Sequence, residues 1–446
     1  MTTSIIGAGI AGLCAADGLR RAGHEAVVYD ARPSWGGHTS SDRFAGHWFD
    51  EGPHLSFTRD ERVRALFARG AETAGGLHEL PARITNHWRG HWVEHPAQVN
   101  LRGLPPDLVT AYLVDKAKAV TRPVEVRTYA DWLVAMYGRA FAEDFPFRYT
   151  RKYWTVEPDQ LGVDWIGPRM QQPSLAEMVR GALDPPVGGD FHYLSTFRYP
   201  AQGGFASFLG DLDPGAALRP GKQVVAVDVR NKRLGFSDGS SDGYSTLVST
   251  MPLDVLVDRL QGVRVPDEVR DAGRALLCTS VALVDLCVDR ADIFDHEWFY
   301  VYDEDVSFAR AHLPSLLAPG MSPPGQSSVQ VEVYHSRHRP LEDALDALPE
   351  RVIGELVRMG LLRDRAEVVA ARVRDLSHAN VVFDHARADA LAVVKPFIAD
   401  LGIELAGRYG EWEYQWTDDA ARSGWRAATA ITGSDVGETL GVGSAG

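Results

Sequence analysis

Three glycines near the start of the chain constrain its fold more than any other feature. They stand in Ser4-Ile5-Ile6-Gly7-Ala8-Gly9-Ile10-Ala11-Gly12. Ile5 and Ile6 end a short apolar strand, Gly7 permits a tight turn, Gly9 lets backbone approach a pyrophosphate, and Gly12 lets the next helix pack on the sheet. The spacing predicts a helix from Ile10 to Arg21, with Leu13, Ala16 and Leu19 inward and Gly23 as its stop. The N–H groups and partial positive charge at its start suit a phosphate. A second strand, Val27-Val28-Tyr29-Asp30, brings a carboxylate eighteen residues after Gly12. There it accepts from both ribose hydroxyls and repels a 2′-phosphate. A glycine-rich turn in an unrelated α/β domain would not need strand, helix, strand and acid in register.

At 446 residues the chain has core enough for two or three domains. Its formal charge of -14 argues against nucleic acid or an anionic membrane as partner, since both repel it at long range. Cys14, Cys278 and Cys287 form neither a disulfide framework nor a metal-ligand spacing. The chain enters its first strand at Thr2 or Thr3 and has no apolar stretch of membrane length, so a cytoplasmic protein is expected.

Three separated segments, about 1–75, 195–255 and 395–446, read as one cofactor domain. Gln223 to Val229 alternates as a strand, Asp238-Gly239 makes a turn, and Thr246 to Thr250 is a further strand closed by Met251-Pro252. Gly402 to Arg408 reads as a strand entering a glycine turn, and Asp418 to Ala428 as a helix with acids at its start. The intervening segments, 76–194 and 256–394, would form an inserted α+β substrate domain with helices and a mixed or antiparallel sheet. Within them Arg83 to Val93 reads as a hairpin turning at Arg89-Gly90, while Thr279 to Cys287 and Ser328 to Tyr334 are strand-like. Pro105 to Val120, Tyr129 to Phe141 and Glu350 to Met359 are helical by period, and Pro314 to Gln326 is a loop that reads as a surface connection or a lid. The fold class is therefore α/β, a three-layer Rossmann-type domain with a parallel sheet.

A second glycine pair, Trp35-Gly36-Gly37-His38-Thr39, is followed by Phe49-Asp50-Glu51-Gly52-Pro53-His54. With Tyr199-Pro200, Gly203-Gly204-Phe205, Val248 to Pro252 and Gly407-Arg408-Tyr409-Gly410-Glu411-Trp412, the order of landmarks resembles the flavoprotein group of UDP-galactopyranose mutase, protoporphyrinogen oxidase and flavin amine oxidases. The nearest likeness is to its mutase-like branch. The resemblance implies FAD, held by Gly7, Gly9, Ile10, Ala11, Gly12, Asp30, Ala31, Gly36, Gly37, His38, Thr39, Val224, Met251, Gly407, Arg408, Trp416, Thr417 and Asp418. Val224 would meet the adenine through its backbone, and Arg408 with the 416–418 turn would close over the flavin. His54 would lie near the isoalloxazine ring. The chain departs from the mutases in carrying Phe57 where they have a second histidine, and Trp416-Thr417-Asp418 where they have a tyrosine-containing turn.

His54 and Arg408 are the candidates for chemistry, with an imidazole able to bond the ring or move a proton; a structural role is the competing account of His54. Arg148, Tyr149, Arg151 and Tyr153 lie in a basic aromatic run that suits a sugar or nucleobase face, and equally suits a structural loop. Arg198, Trp412 and Trp416 complete the expected substrate walls. His87, His91 and His95 sit on hairpin arms with no acid or cysteine to complete a shell, so no metal is expected. The leading expectation is an FAD-dependent oxidoreductase taking a hydride from a carbon beside a hydroxyl or amine on a small polar substrate, with sugar-derived compounds among the candidates. A redox-neutral pyranose-furanose isomerase using reduced FAD is the alternative, and a flavin-binding protein without chemistry the third. Oxygen or a separate reductant would reset the flavin, and a homodimer is one of the open oligomeric states.

Overall fold

The computed structural model describes residues 2–122, 125–167, 170–184 and 196–436. The boundary read at 195 and the tail of the 395–446 segment past 436 lie outside the described residues.

The first strand, Thr2–Ile6, is the middle of a five-stranded parallel sheet ordered Ile403–Leu405, Thr246–Ser249, Thr2–Ile6, Glu25–Tyr29, Leu218–Arg219. Alternation along these strands divides the layers. Ile5, Val28 and Val248 pack with residues of the helices Ile10–Arg21 and Thr417–Thr432, whereas Ile6, Tyr29 and Leu247 pack with Val224, Val227, Leu234 and Phe236 of a second, four-stranded sheet. Helix, parallel sheet and β-layer form the three layers expected. The two helices touch closely because Gly424 has no side chain: a Cβ there would lie 2.1 Å from the carbonyl oxygen of Ala11. The β-layer also takes in Leu260–Gln261, which pairs in parallel with Val227–Asp228.

The inserted segments build a seven-stranded mixed sheet ordered Val368–Leu376, Ser280–Val288, Ser327–His335, Arg310–His312, Trp298–Val301, Ile84–Trp88, His91–Glu94. Its one parallel junction joins Trp298–Val301 to Ile84–Trp88. Here too the two-residue period sorts the faces. Ala282, Val284 and Leu286 pack under the helix Leu348–Arg358, while Val281, Leu283 and Tyr334 meet Tyr149 and Tyr153 on the other side. That second face looks onto the cofactor domain. Arg372 ties the two units, bonding Asp42 at 2.6 and 2.8 Å and the fully buried Asp285 at 2.7 Å.

Three local expectations need correction. The helix read over Tyr129 to Phe141 divides at Gly138 into Tyr129–Tyr137 and Arg139–Asp144. Gly138 has φ 82°, and a Cβ there would stand 2.5 Å from the amide nitrogen of Lys116, so close packing rather than hydrophobic period sets the break. The basic aromatic run is no loop: it is the helix Pro146–Tyr153, entered through a proline at its first position. The stretch Pro314 to Gln326 is no lid. Leu317, Ala318 and Met321 are buried in the core of the cofactor unit, and Trp48 N–H donates to the Met321 carbonyl at 2.8 Å.

Candidate active site

The two glycine loops meet. Gly36 N–H donates to the Ala8 carbonyl at 2.8 Å, and Gly9 and Gly36 form a parallel bridge. Gly12 is required by packing, since a Cβ would fall 1.9 Å from the Gly7 carbonyl oxygen. Gly9 is different: its φ of -74° suits any residue, and a Cβ would meet only Gly37 Cα, at 3.9 Å. The fold itself does not demand a glycine at position 9, which suits a site where a ligand comes close to backbone.

The rest of the cradle fits a dinucleotide. No side chain caps the helix Ile10–Arg21 and no acid stands in its first turn, so its leading N–H groups face an open end. Asp30 accepts from Ala8 N–H at 2.6 Å through one carboxylate oxygen and from Arg32 N–H at 2.8 Å through the other, leaving a lone pair on each. Gly407 presses on the helix start, where a Cβ would come 2.9 Å from that of Ala11, and its N–H donates to Ser423 Oγ at 2.8 Å. Thr39 Oγ1 donates to the Gly36 carbonyl at 2.6 Å. Val224 is buried at the start of its strand, Ile10 and Ala11 are buried, Met251 is half-buried after the parallel strand, and Ala31 is exposed. Asp418 accepts from Thr58 Oγ1 at 3.0 Å at the entry to the last helix.

Beyond the second glycine loop lies a cavity of about 430 Å³ between the cradle and the seven-stranded sheet. Nine tyrosines line it, at positions 129, 137, 149, 153, 300, 302, 334, 409 and 414, with Trp154, Trp165, Trp298 and Trp416. The volume is that of a small-molecule site. Alternation explains the sheet's share: Trp298 and Tyr300 face the cavity while Phe299 and Val301 are buried on the opposite face.

His54 and Arg408 both line this cavity, as do Tyr149, Tyr153, Trp416, Thr417 and His38. The Nδ1 of His54 lies 3.1 Å from the Gly52 carbonyl; a carbonyl only accepts, so Nδ1 carries the proton and Nε2 is the acceptor. Burial pushes the imidazole pKa down to about 4, against the carbonyl's opposing pull, so the ring is neutral at pH 7. Arg408 is held by backbone carbonyls, with Nε at 2.8 Å from Gln415 O, Nη2 on the same oxygen, and Nη1 at 3.2 Å from Ala379 O. Among the described residues it makes no ion pair.

The cavity's carboxylates are already compensated. Glu51 bonds Arg32 at 2.8 Å and His38 at 3.0 Å, which hold its pKa near 2 in spite of burial. Glu332 makes a two-pronged pair with Arg310 at 2.5 and 2.9 Å and accepts from Tyr334 at 3.0 Å. Sequence reasoning missed this pair, Asn380, and the tyrosines outside 149 and 153. They come from separate segments: Glu332 and Tyr334 lie on the strand read over Ser328 to Tyr334, where alternation could have pointed to them, while Tyr300 and Arg310 lie on strands the sequence reading did not recognise.

The remaining expected substrate residues are placed elsewhere. Arg148 and Arg151 turn outward to Glu304 at 3.0 and 2.7 Å. Arg198 bonds the Thr58 carbonyl at 3.1 Å and Glu79 at 3.3 Å, and Trp412 is fully buried in the core. None of these four lines the cavity. His87 pairs with Asp303 at 2.9 Å, and among the described residues no group of three His, Cys, Asp or Glu side chains is placed to hold a metal ion. No helix among them is long and apolar enough to cross a membrane.

Comparison with known proteins agrees with this fold. Residues 5–69 match the NAD(P)-binding Rossmann-like domain. Over 183 residues the chain is 27% identical to a Mycobacterium tuberculosis protein that bears the name of a flavin-containing monoamine oxidase; the match covers 36% of this chain and 38% of the relative. The crystal structure of reduced UDP-galactopyranose mutase superposes with a TM-score of 0.90 at 23% identity, covering 99% of this chain and 97% of the other. Cyclohexylamine oxidase from Brevibacterium oxydans gives 0.65 at 14%, covering 97% and 98%. The chain thus has the fold shared by these flavoproteins.

Proposed function

We propose that the protein is an FAD-dependent oxidoreductase acting on a small polar substrate, with sugar-derived compounds among the candidates, bound in the tyrosine-walled cavity. When bound, the flavin supplies the acceptor for a hydride from a carbon bearing a hydroxyl or amine. The single observation that carries the reading is the continuity of site and cradle: His54, Arg408, His38 and Thr417 line the same cavity that the aromatic side chains enclose. The chain's own work is positioning. Aromatic walls exclude water and hold a ring face-on, and Arg408 brings a fixed positive charge. His54 serves through its Nε2 lone pair as a hydrogen-bond acceptor, because a group with pKa about 4 takes up little proton at pH 7.

The superposition with the mutase favours a second reading, a redox-neutral isomerase working with reduced FAD. Arg148 and Arg151 turn outward to Glu304 and Arg198 is held by the Thr58 carbonyl and Glu79, so none of these expected cations lines the cavity to meet a nucleotide diphosphate. Assaying one preparation in both redox states separates the two. The oxidoreductase reading expects substrate-dependent bleaching of oxidised flavin and no sugar-nucleotide isomerisation after dithionite; isomerisation confined to the reduced protein would overturn it.

A further inference from the structure

One end of the cavity is apolar, and its walls are built by alternation. Ser56 and Arg198 form an antiparallel bridge, with Ser56 N–H on the Arg198 carbonyl at 3.1 Å and Arg198 N–H on the Ser56 carbonyl at 2.9 Å. The extended backbone buries Ser56 and sends Leu55 and Phe57 to the opposite face, where both line the cavity half-buried. Phe57 rests on the fully buried Phe197, with ring centroids 6.4 Å apart, and meets Trp298 and Trp416 at 6.2 Å each. Leu55, Phe57, Trp298 and Trp416 belong to one apolar cluster, and all four line the cavity. They bring no carboxylate, amine or hydroxyl to it. The indole N–H of Trp298 already donates to the Tyr300 hydroxyl at 3.3 Å.

Strand register sets this end apart from the polar one. Trp298 pairs with His312 and His312 with Gln330, whereas Arg310 pairs with Glu332 one side-chain row further along. Tyr334 lies one row beyond Glu332, in ring contact with Tyr153 at 4.7 Å. Two strand spacings of about 4.8 Å and two side-chain rows of about 6.7 Å therefore separate Trp298 from Tyr334. A phosphate or a hydroxyl-rich ring seated on Phe57 gives up water and finds no replacement bond from the four apolar side chains. An apolar ring gains contact with their faces and edges at no such cost. We propose that this end is a subsite for an apolar ring of the substrate, carried beside the polar group that reacts, and that Phe57 is its specificity-determining residue. The two positions at which the chain departs from the mutases, Phe57 and Trp416, then form a single feature. This narrows the oxidoreductase reading to substrates that pair a polar group with an apolar ring, and it rests on the cavity being the substrate site.

The test compares benzyl alcohol with glucose, each a ring bearing a hydroxymethyl group, by calorimetric titration of the oxidised, flavin-loaded protein. The parent binds benzyl alcohol about tenfold more tightly than glucose, or better. Phe57→His sets a polar ring on the same face and weakens benzyl alcohol about tenfold, whereas the apolar Phe57→Leu keeps it within about threefold. Leu55→Asn makes the same end polar and carries the test, with a loss of about fivefold, if the histidine variant does not fold. Glucose bound as tightly as benzyl alcohol by the parent, or benzyl alcohol binding unchanged in the folded polar variant, overturns the proposal. So does a loaded protein that binds no benzyl alcohol, the result expected if the flavin itself fills the apolar end. Binding needs no turnover, so a protein that selects benzyl alcohol through Phe57 but whose flavin no substrate reduces contradicts the oxidoreductase reading and leaves this one standing.

Discussion

Around Gly9 the groups offered to a ligand are backbone N–H donors on loops fixed by close glycine contacts. Around Tyr153 they are side chains projecting from strands and helices drawn from distant parts of the sequence. The difference shows in how each region tolerates change. In the cradle, Gly12 is required by packing, whereas no close contact requires a glycine at position 9. In the cavity the side chains that build the walls are the groups open to a ligand, and many are tied by hydrogen bonds to their neighbours. Specificity in the cavity can drift while the cradle stays constant, which suits a fold shared by a mutase and an amine oxidase.

The sharpest break of that comparison is a paired substitution in the cradle. Gly12→Ala forces a Cβ onto the Gly7 carbonyl and is expected to cost about 4 kcal/mol or more of stability, read by denaturant unfolding. Gly9→Ala meets no such contact and is expected to leave apoprotein stability within about 0.5 kcal/mol. Its flavin-to-protein absorbance ratio should fall nonetheless. Equal loss of stability in both would remove the distinction between packing and ligand-facing glycines.

In the cavity the largest single effect belongs to Glu332. Glu332→Ala leaves Arg310 buried without its partner and is expected to destabilise by about 3 kcal/mol, measured in urea. A loss below about 1 kcal/mol would show the pair to be solvent-screened.

His54 sharpens the contrast through pH. Its folded pKa, about 4, lies below the ordinary 6.5, so between those values the unfolded chain binds a proton that the folded one refuses. Its contribution is therefore intact above about pH 6.5 and falls away as pH drops towards 4. Subtracting the stability curve of His54→Gln from that of the parent should expose this slope, and a flat difference curve would place His54 in ordinary solvent.

The smallest effect is expected at Arg151. Its pairs with Glu304 and Glu157 are partly exposed, so Arg151→Ala should cost no more than about 1 kcal/mol and leave substrate affinity unchanged. A tenfold rise in KM would return the residue to the site.

The cradle was legible because its requirements are local. Gly7, Gly9, Gly12 and Asp30 act within one strand-helix-strand unit, and their spacing is a direct readout of geometry. The cavity was legible where resemblance reached it, at His54, Arg408 and Trp416, and through the basic aromatic run at Tyr149 and Tyr153. Arg148 and Tyr149 are neighbours in sequence, yet a helix sends them in different directions, one to Glu304 and one into the cavity. The pairing of Arg310 with Glu332 depends on strand register, and no period in either strand specifies which strand lies beside which.

The proposal that one cavity joins cofactor and substrate is tested most directly by anaerobic mixing of the oxidised, flavin-loaded protein with a panel of hydroxyl-bearing, amine-bearing and sugar-nucleotide compounds. It predicts that at least one hydroxyl-bearing member bleaches the oxidised-flavin absorbance in proportion to the amount added, up to one equivalent per flavin. Full retention of that absorbance across the panel, in protein whose flavin still reacts with dithionite, would contradict it.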